Sequence, residues 1–384
     1  MDVYVLNTDF ETTFVLDFYE SLMWVDRYYG YGEFEIYAPF DNRYIQNLVQ
    51  GYYLKIDASD RVMIIESIQL QTDAETGSHL IIRGRSLESI LDRRIIYPMF
   101  EIKNNNCYIQ TAIKALITDC IINPTRIPNK VKRKDWILRK IDNFIFTDTD
   151  DSRIIGTAAN RYKDGIKVDP VEMTGDNLYD VIVDWCQENE IGFRIFLTEE
   201  NQFEFKLYMG EDRSYDQEEN LWVIFSPEFE NIISTEYIDD ITPWKNYALI
   251  AGEGEGNARY NKVYGDLKTS GLEHRELFVD ARDIQTEDLP DEQTYDEALI
   301  ARGLEQLNEN YKDIEFTGEV EAKRQFVYGV DFFVGDIIQI VDTYGIEGAA
   351  RVTEFVINDT ANGLEMYPTF EAIQNEDYEE GEVT

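Results

Sequence analysis

A pattern that occurs twice, near the two ends of the chain, constrains its fold more than any other feature. Gly51-Tyr52-Tyr53-Leu54-Lys55-Ile56 is matched by Gly335-Asp336-Ile337-Ile338-Gln339-Ile340. Each is followed by a β-rich run with a central glutamate, Ile64-Ile65-Glu66-Ser67-Ile68 and Val352-Thr353-Glu354-Phe355-Val356. A glycine turn and another apolar run come next in both, at Gly77-Ser78-His79-Leu80 and Gly363-Leu364-Glu365-Met366. Glycine ahead of such a run marks a turn that enters a strand. The glycine-to-glutamate spacing is 15 residues in one copy and 19 in the other, a difference that a hairpin loop absorbs at small entropic cost. Any two antiparallel meanders can align in this way, because period-two patterns are common in β proteins. The sharper reading is two related β-barrels, and a trimer of such chains presents six of them in a pseudo-sixfold ring.

Turn signals at Asn7-Thr8-Asp9, Tyr29-Gly30-Tyr31-Gly32, Pro39 and Gly77 divide the first hundred residues into strands. Ile109, Ala112, Ile113, Leu116, Ile117 and Cys120 then recur with the stripe of a helix over Tyr108 to Ile121, with Asn106 placed to cap it. A second helix is predicted from Leu178 to Asn189, capped by Asp176, with Val181, Ile182, Trp185 and Cys186 on one face and Gly192 at its end. Phe193, Ile195 and Leu197, then Phe203, Phe205 and Leu207, alternate across Glu199-Glu200-Asn201 as a hairpin does. Thr294-x-x-Glu297 opens a third helix as a capping box, followed by Ile300, Leu304, Leu307 and Tyr311. Strands resume from Phe316 to Phe370, and Asn375 to Thr384 read as a solvated acidic tail.

The expected fold class is therefore α+β, mainly β: two β-barrel domains with inserted smaller α+β domains. The expected divisions are a first barrel over 1–97, an α+β domain over 98–224, and a second barrel over 225–250 plus 313–373. A small helical insertion covers 251–312 and the tail 374–384. A chain of 384 residues is too long for one core, and 43% hydrophobic content supplies several.

Its formal net charge is −41. At that level nucleic acid is repelled, which excludes sequence-directed binding of DNA or RNA. The acidity serves solubility, or it makes a surface that nucleic acid slides past without sticking. Cys107, Cys120 and Cys186 are odd in number and follow no metal or disulfide spacing, so they read as reduced, small apolar residues. No basic stretch precedes an apolar one at the N-terminus, and no run of about 18 apolar residues occurs. Synthesis in the cytosol and no membrane insertion are expected.

Catalytic chemistry has little to work with. His79 and His274 are the only histidines, and neither lies in a nucleophile elbow or an HExxH helix. Asp148 and Asp150 have the i, i+2 spacing of a calcium loop, but Arg153 stands where that loop needs glycine and Ala159 where it needs glutamate. Gly252-Glu253-Gly254-Glu255-Gly256 follows an apolar strand as a phosphate loop does, yet it lacks the lysine and its glutamates repel phosphate; it reads as a turn between domains. Neither an enzymatic activity nor a cofactor is expected. One segment reverses the overall charge: Arg126, Lys130, Lys132, Arg133, Lys134, Arg139 and Lys140 face Asp135 alone, a local charge of +6. It is either an exposed loop or a contact for an acidic face of a neighbouring subunit, where such complementarity sets register.

Several stretches in order along the chain resemble a known family. They are Trp24-Val25-Asp26-Arg27-Tyr28-Tyr29 with Gly32-Glu33-Phe34-Glu35-Ile36 and Pro39; Ile64-Ile65-Glu66; and Arg83-Gly84-Arg85-Ser86-Leu87 running to Ile90-Leu91-Asp92-Arg93-Arg94-Ile95. Phe225-Ser226-Pro227-Glu228-Phe229-Glu230-Asn231-Ile232, the Gly252–Gly256 stretch, Phe278-Val279-Asp280-Ala281-Arg282-Asp283-Ile284 and Gly335-Asp336-Ile337-Ile338 follow. The set resembles the hub proteins, also called minor tail or tail-associated proteins, of siphophages that infect Gram-positive bacteria. The resemblance implies two β-barrels that trimerise into a pseudo-sixfold ring, with two smaller α+β insertions. It implies a place in the virion's tail tip or baseplate, where the ring joins the tail-tube end protein to the distal tip, fibre or receptor-binding proteins. The channel it encloses passes the tape-measure protein and then DNA in transit. Where some relatives continue into a fibre, peptidase or lysin region, this chain stops at Thr384, so that wall digestion or receptor binding is expected to fall to a partner. Two alternatives compete with the hub: a carbohydrate-binding baseplate module, using some of the 25 tyrosines and 21 phenylalanines to stack on sugars, and a cell-wall hydrolase.

Overall fold

The computed structural model describes residues 1–73, 77–103, 107–155, 165–229, 232–286, 294–310, 313–320, 325–341 and 347–372. Two compact units emerge, one holding Met1–Thr235 with Gly318–Glu371 and the other Glu236–Thr317. The predicted cap Asn106, Ala159, Tyr311 and the acidic tail lie outside the described residues.

The first unit is built on one large sheet. Seven of its strands come from the first quarter of the chain: β1 (Val3–Leu6), β2 (Thr12–Leu16), β3 (Ser21–Arg27), β4 (Glu33–Pro39), β5 (Tyr53–Ile56), β6 (Ser59–Asp73) and β7 (Gly77–Ser86). Their alternation is legible in β4, where Phe34, Ile36 and Ala38 are buried and the residues between them are not; successive side chains of a strand point to opposite faces. The sheet has eleven strands. Its path runs Ile224–Phe225, Ile337–Val341, Glu347–Thr360, β3, β4, β7, β6, β5, β1, β2, with Gly363–Ala372 bonded to Glu347–Thr360 off that path. The ends of the path do not bond to each other, so among the described residues the strands form no closed ring.

Both repeat copies are the three-strand meanders that the sequence predicts. In the first, β6 pairs with β5 and β7; in the second, Glu347–Thr360 pairs with Ile337–Val341 and with Gly363–Ala372. The turn glycines match as well: Gly51 and Gly335 have φ of +86° and +100°, and Gly77 and Gly363 have +91° and +128°. Side chains rarely adopt that region, which is why glycine marks the same two turns in each copy.

The middle of the chain lays helices Ile109–Ile117 and Leu178–Glu188 against a small sheet of Phe144–Phe146, Phe203–Tyr208 and Gly192–Leu197. Its core is continuous with that of the first meander, running from Val62, Ile64 and Leu87 to Ile113, Ile182, Phe193 and Phe205. Each such aliphatic or aromatic side chain contributes about 1.5–3 kcal/mol on burial. The first helix continues as a wider turn over Thr118–Ile122. The second is capped by Asn177 rather than Asp176, its side chain accepting from the Tyr179 N–H. Gly192 opens the following strand, and the turn out of the helix is made by Glu190 at φ +54°.

The second unit packs the helix Tyr295–Asn308 on a sheet of Asn261–Gly265, Tyr247–Ala251 and Glu276–Asp280. Both hydrogen bonds of the predicted capping box are present: the Thr294 hydroxyl accepts the Glu297 N–H, and Glu297 accepts the Thr294 N–H. The buried stripe, however, is Ala298, Leu299, Gly303 and Leu307, while Leu304 is exposed. Gly303 sits so close to Ile250 that a Cβ there would come within 2.3 Å of its Cδ1, so the helix touches the sheet through a missing side chain. The Gly252–Gly256 turn joins two strands of this unit and does not separate domains; the Tyr295 hydroxyl donates no bond there but accepts the Glu253 N–H at 2.7 Å. Among the described residues no helix is long and apolar enough to cross a membrane.

Candidate assembly surfaces

The second meander joins the sheet of the first through β3 and β4. The second half of Glu347–Thr360 lies antiparallel to β3, with Glu354 opposite Arg27, Ile357 opposite Trp24 and Thr360 opposite Ser21. Phe355 and Ile357 are fully buried there. The matching stretch of the first copy is the second half of β6, beyond the bulge at Glu66. On one side it pairs with β7, Ile68 opposite Ile82 and Leu70 opposite Leu80. On the other side β5 and the turn before it reach only Ile65, through the Gly51 N–H to the Ile65 carbonyl at 2.8 Å and the Ile65 N–H to Tyr52 at 2.9 Å. Past that point, residues 67–73 have no strand on this edge among the described residues. Leu70 shares a face with buried Leu80, since directly opposed residues do, yet it is 53% exposed. Sheet edges that keep open backbone groups and an apolar side chain are templates for another strand.

Buried polar groups link the parts of this unit. Asp336, which follows the turn glycine of the second copy, is buried and accepts from the Glu211 N–H at 2.8 Å, the Arg213 guanidinium at 2.7 Å and the Phe333 N–H at 3.0 Å. Burial raises its pKa, against the pull of Arg213 and the backbone donors. Arg61 and Glu88 form a pair with both side chains 1% exposed, Nη1 to Oε1 2.8 Å. Glu88 also accepts the Ile195 N–H at 3.0 Å, while Asp26 accepts from the Ser59 hydroxyl at 2.8 Å and the Tyr328 hydroxyl at 3.0 Å. Burial pushes the Asp26 carboxyl up, and Arg61 and Ser59 pull it back. First copy, middle region and second copy each supply a member of this network. Deleting one partner of such a pair costs about 3–5 kcal/mol, because the other charge is left buried alone.

The basic segment separates into two sets. Arg126 pairs with Asp119 at 2.8 Å and also donates to the Met99 carbonyl. Arg139 donates to the Tyr97 carbonyl at 3.1 Å and lies over the Trp136 ring, and Lys140 pairs with Asp142 at 2.6 Å. Lys130, Lys132, Arg133 and Lys134 are exposed, and their side chains have no hydrogen-bond or ion-pair partner among the described residues. Arg126 and Arg139 thus hold the loop to the Ile95–Met99 stretch, and four cations are left exposed. Beside them Tyr97, Met99 and Ile137 are exposed and Leu138 is 79% exposed.

One surface went unnoticed in the sequence. Residues 211–222 form a loop with its own hydrogen bonds: Asn220 N–H to the Gln217 side chain at 2.6 Å, Gln217 to the Ser214 carbonyl at 3.1 Å and the Trp222 indole to the Gln217 carbonyl at 3.0 Å. Tyr215 and Trp222 meet edge to face at 5.3 Å, and Leu221 and Trp222 are 83% and 49% exposed. The signal that could have found it is the run Tyr215-Asp216-Gln217-Glu218-Glu219-Asn220-Leu221-Trp222, acidic with large apolar residues at both ends.

The residues considered for chemistry lie apart. His79 stacks on Tyr37 and has Nε2 3.1 Å from Glu20 in the first unit; His274 lies 3.4 Å from Glu276 in the second. Asp148 receives Lys114 at 2.6 Å, and Asp151 receives Arg153 at 2.7 Å. Cys120 and Cys186 are buried and Cys107 half-buried, all as free thiols. Among the described residues no three His, Cys, Asp or Glu side chains gather as a metal site requires.

Comparison with solved structures places this architecture among phage tail proteins. A 43 kDa tail protein of prophage MuSo2 from Shewanella oneidensis superposes with a TM-score of 0.57 at 11% identity, over 97% of this chain and 98% of that one. A tail protein from Neisseria meningitidis MC58 gives 0.55 at 14% identity, over 96% of both chains. The prophage tail protein gp18 from Listeria monocytogenes EGD-e gives 0.50 at 12% identity, over 98% and 95%. At these identities the likeness is one of fold. No curated protein matches the sequence. The sequence model of the siphovirus ReqiPepy6 Gp37-like proteins matches residues 2–370, and the chain therefore belongs to that family of siphovirus tail proteins.

Proposed function

We propose that the chain is a structural hub of the tail tip, three copies closing into a ring of six alike β modules. The ring joins the sixfold end of the tail tube to the threefold distal tip and encloses the path of the tape-measure protein and then of DNA. The observation that carries this reading is the unequal treatment of the two matching edges. In the second copy the edge is filled from within the chain by β3; in the first it is open at residues 67–73. Strand Ile232–Asp240 pairs with Asp313–Val320 in a two-stranded sheet of its own, and it is the strand we assign to the role that β3 plays for the second copy. Supplied by a neighbouring chain, it fills the open edge of β6. Repeating that step is head-to-tail association, which forms a ring when the rotation closes, and each module then reaches the barrel-like closure that the isolated chain lacks. The net charge of −41 suits a channel from which phosphates gain nothing by lingering.

Electron microscopy of assembled tails with copy-number mass spectrometry tests the reading. Three copies in one ring under the tube are expected; scattered copies or peripheral clusters overturn it. Leu70→Lys, an edge charge of the kind that blocks strand addition, is expected to leave the isolated chain folded and to remove it from tails.

A further inference from the structure

Two surfaces of the first unit carry opposite charge around exposed apolar side chains, and each is unfilled. On the basic one, Lys132, Arg133 and Lys134 stand beside Leu138 with no acidic partner among the described residues. On the other, Asp216, Glu218 and Glu219 are exposed beside Leu221 and Trp222 and have no cationic partner among the described residues. The nearby ionic groups are already engaged: Glu211 with Arg153 at 3.3 Å and Arg213 with Asp336 at 2.7 Å. No hydrogen bond, ion pair or ring contact among the described residues joins the two surfaces within the chain.

We infer that the basic loop of one copy docks on the acidic 211–222 loop of the next. The inference rests on the hub reading, which requires a head-to-tail neighbour, and it names the surfaces that meet. Charge complementarity selects a second copy of this chain as the occupant. Copies carrying −41 each repel one another at a distance, and the cluster of Lys130, Lys132, Arg133 and Lys134, exposed and without ion-pair partners among the described residues, is the place where an approaching acidic surface is attracted and its register set. Both sides offer what a contact centre uses: a large exposed aliphatic or aromatic side chain rimmed by charge. Both are also held in shape beforehand, one by Arg126 and Arg139 clasping the Tyr97 and Met99 carbonyls, the other by the Gln217 hydrogen bonds. Little conformational freedom is then lost on docking.

The test is a charge exchange in the full chain. K132E/R133E/K134E and D216K/E218K/E219K are each assayed for incorporation into tails and for self-association by sedimentation at low and high salt, with circular dichroism to check folding. Each alone is expected to reduce both readouts about tenfold or more, the wild-type association weakening with salt, and the two sets combined are expected to restore them. Wild-type behaviour of either reversed variant overturns the contact. Two defective variants without rescue assign the surfaces to some other protein and overturn the second copy as occupant. Should a reversal fail to fold, alanine at the same positions reads the same contact through a smaller drop. The copy number of the wild-type chain in tails reads the hub proposal separately: a ring of three with no effect of charge reversal leaves the hub standing and removes this docking mode.

Discussion

Ile357 and Leu70 both sit in the outer half of the long strand of their meander, three residues past the central glutamate in one copy and four in the other. Ile357 lies opposite Trp24 and is 0% exposed, whereas Leu70 is 53% exposed. Both residues follow the same glycine turn, long strand and central glutamate, with a bulge at that glutamate in the first copy. What differs is the neighbour. The same element is a finished interior in one copy and an unfinished edge in the other, and a duplicated module that completes itself once within the chain is left needing one more strand of the same kind. On the proposed hub reading, stability and assembly are thereby divided between two copies of one motif.

The largest separation between the copies is expected from truncating these two residues. Ile357→Ala should cost about 2–5 kcal/mol in denaturant unfolding, the range for emptying a packed aliphatic site, while Leu70→Ala in the isolated chain should stay within about 0.5 kcal/mol. Equal losses would mean that the β6 edge is already covered in the single chain. A smaller contrast is set by the turn glycines. Gly51→Ala meets open space and incurs only the left-handed backbone penalty, about 1–2 kcal/mol. Gly335→Ala adds a Cβ within 2.3 Å of the Tyr28 ring, which raises the expected loss by a further 1–3 kcal/mol or so through overpacking. Comparable melting shifts in the two variants would show that the Gly335 turn yields without cost. The smallest effect belongs to the central glutamates. Glu66 holds Arg85 and Arg93, and Glu354 holds Arg27; all of these are partly solvated, so each Glu→Gln change should cost less than about 1 kcal/mol. Glu66 should be the more sensitive, and a reversed order in paired melting curves would show that the Arg27 pair is the better shielded.

The parts of this fold that sequence conveyed are those fixed by local chemistry. A glycine must stand where φ is near +90°, so the two turns of each copy were visible as Gly51, Gly77, Gly335 and Gly363. The Thr294–Glu297 box was visible for the same reason, because its two bonds close within four residues. Less local features were misread. Asp176 and Asn177 are both good caps, and which one faces the first turn is decided by tertiary packing: Asn177 also reaches Asp92 at 3.0 Å. In the third helix Leu307 is buried as its spacing predicts, but the stripe passes through Gly303 rather than Leu304, and Gly303, with no side chain, carries no hydrophobic signal although its Cα lies close against Ile250. Among the candidate surface residues, Lys132 and Arg126 look alike in a charge count, and only the fold reveals that Arg126 is committed to Asp119. The 211–222 loop was passed over because exposure of Leu221 and Trp222 cannot be read from residue type.

The pairing of β3 with the far end of the chain also imposes a schedule. Arg27 and Glu354 are separated by 327 positions, so on a ribosome adding about 5–20 residues per second the first strand of that ladder waits on the order of 15–65 s for its mate. During that interval β3 and the outer half of β6 are both bare, and both belong to one sheet already formed by β1 to β7. A polysome making many copies at once places such half-finished sheets side by side, where pairing with a neighbour competes with completion. Yield of correctly finished chains should therefore depend on translation rate and on chaperone capacity more than on the stability of the finished fold.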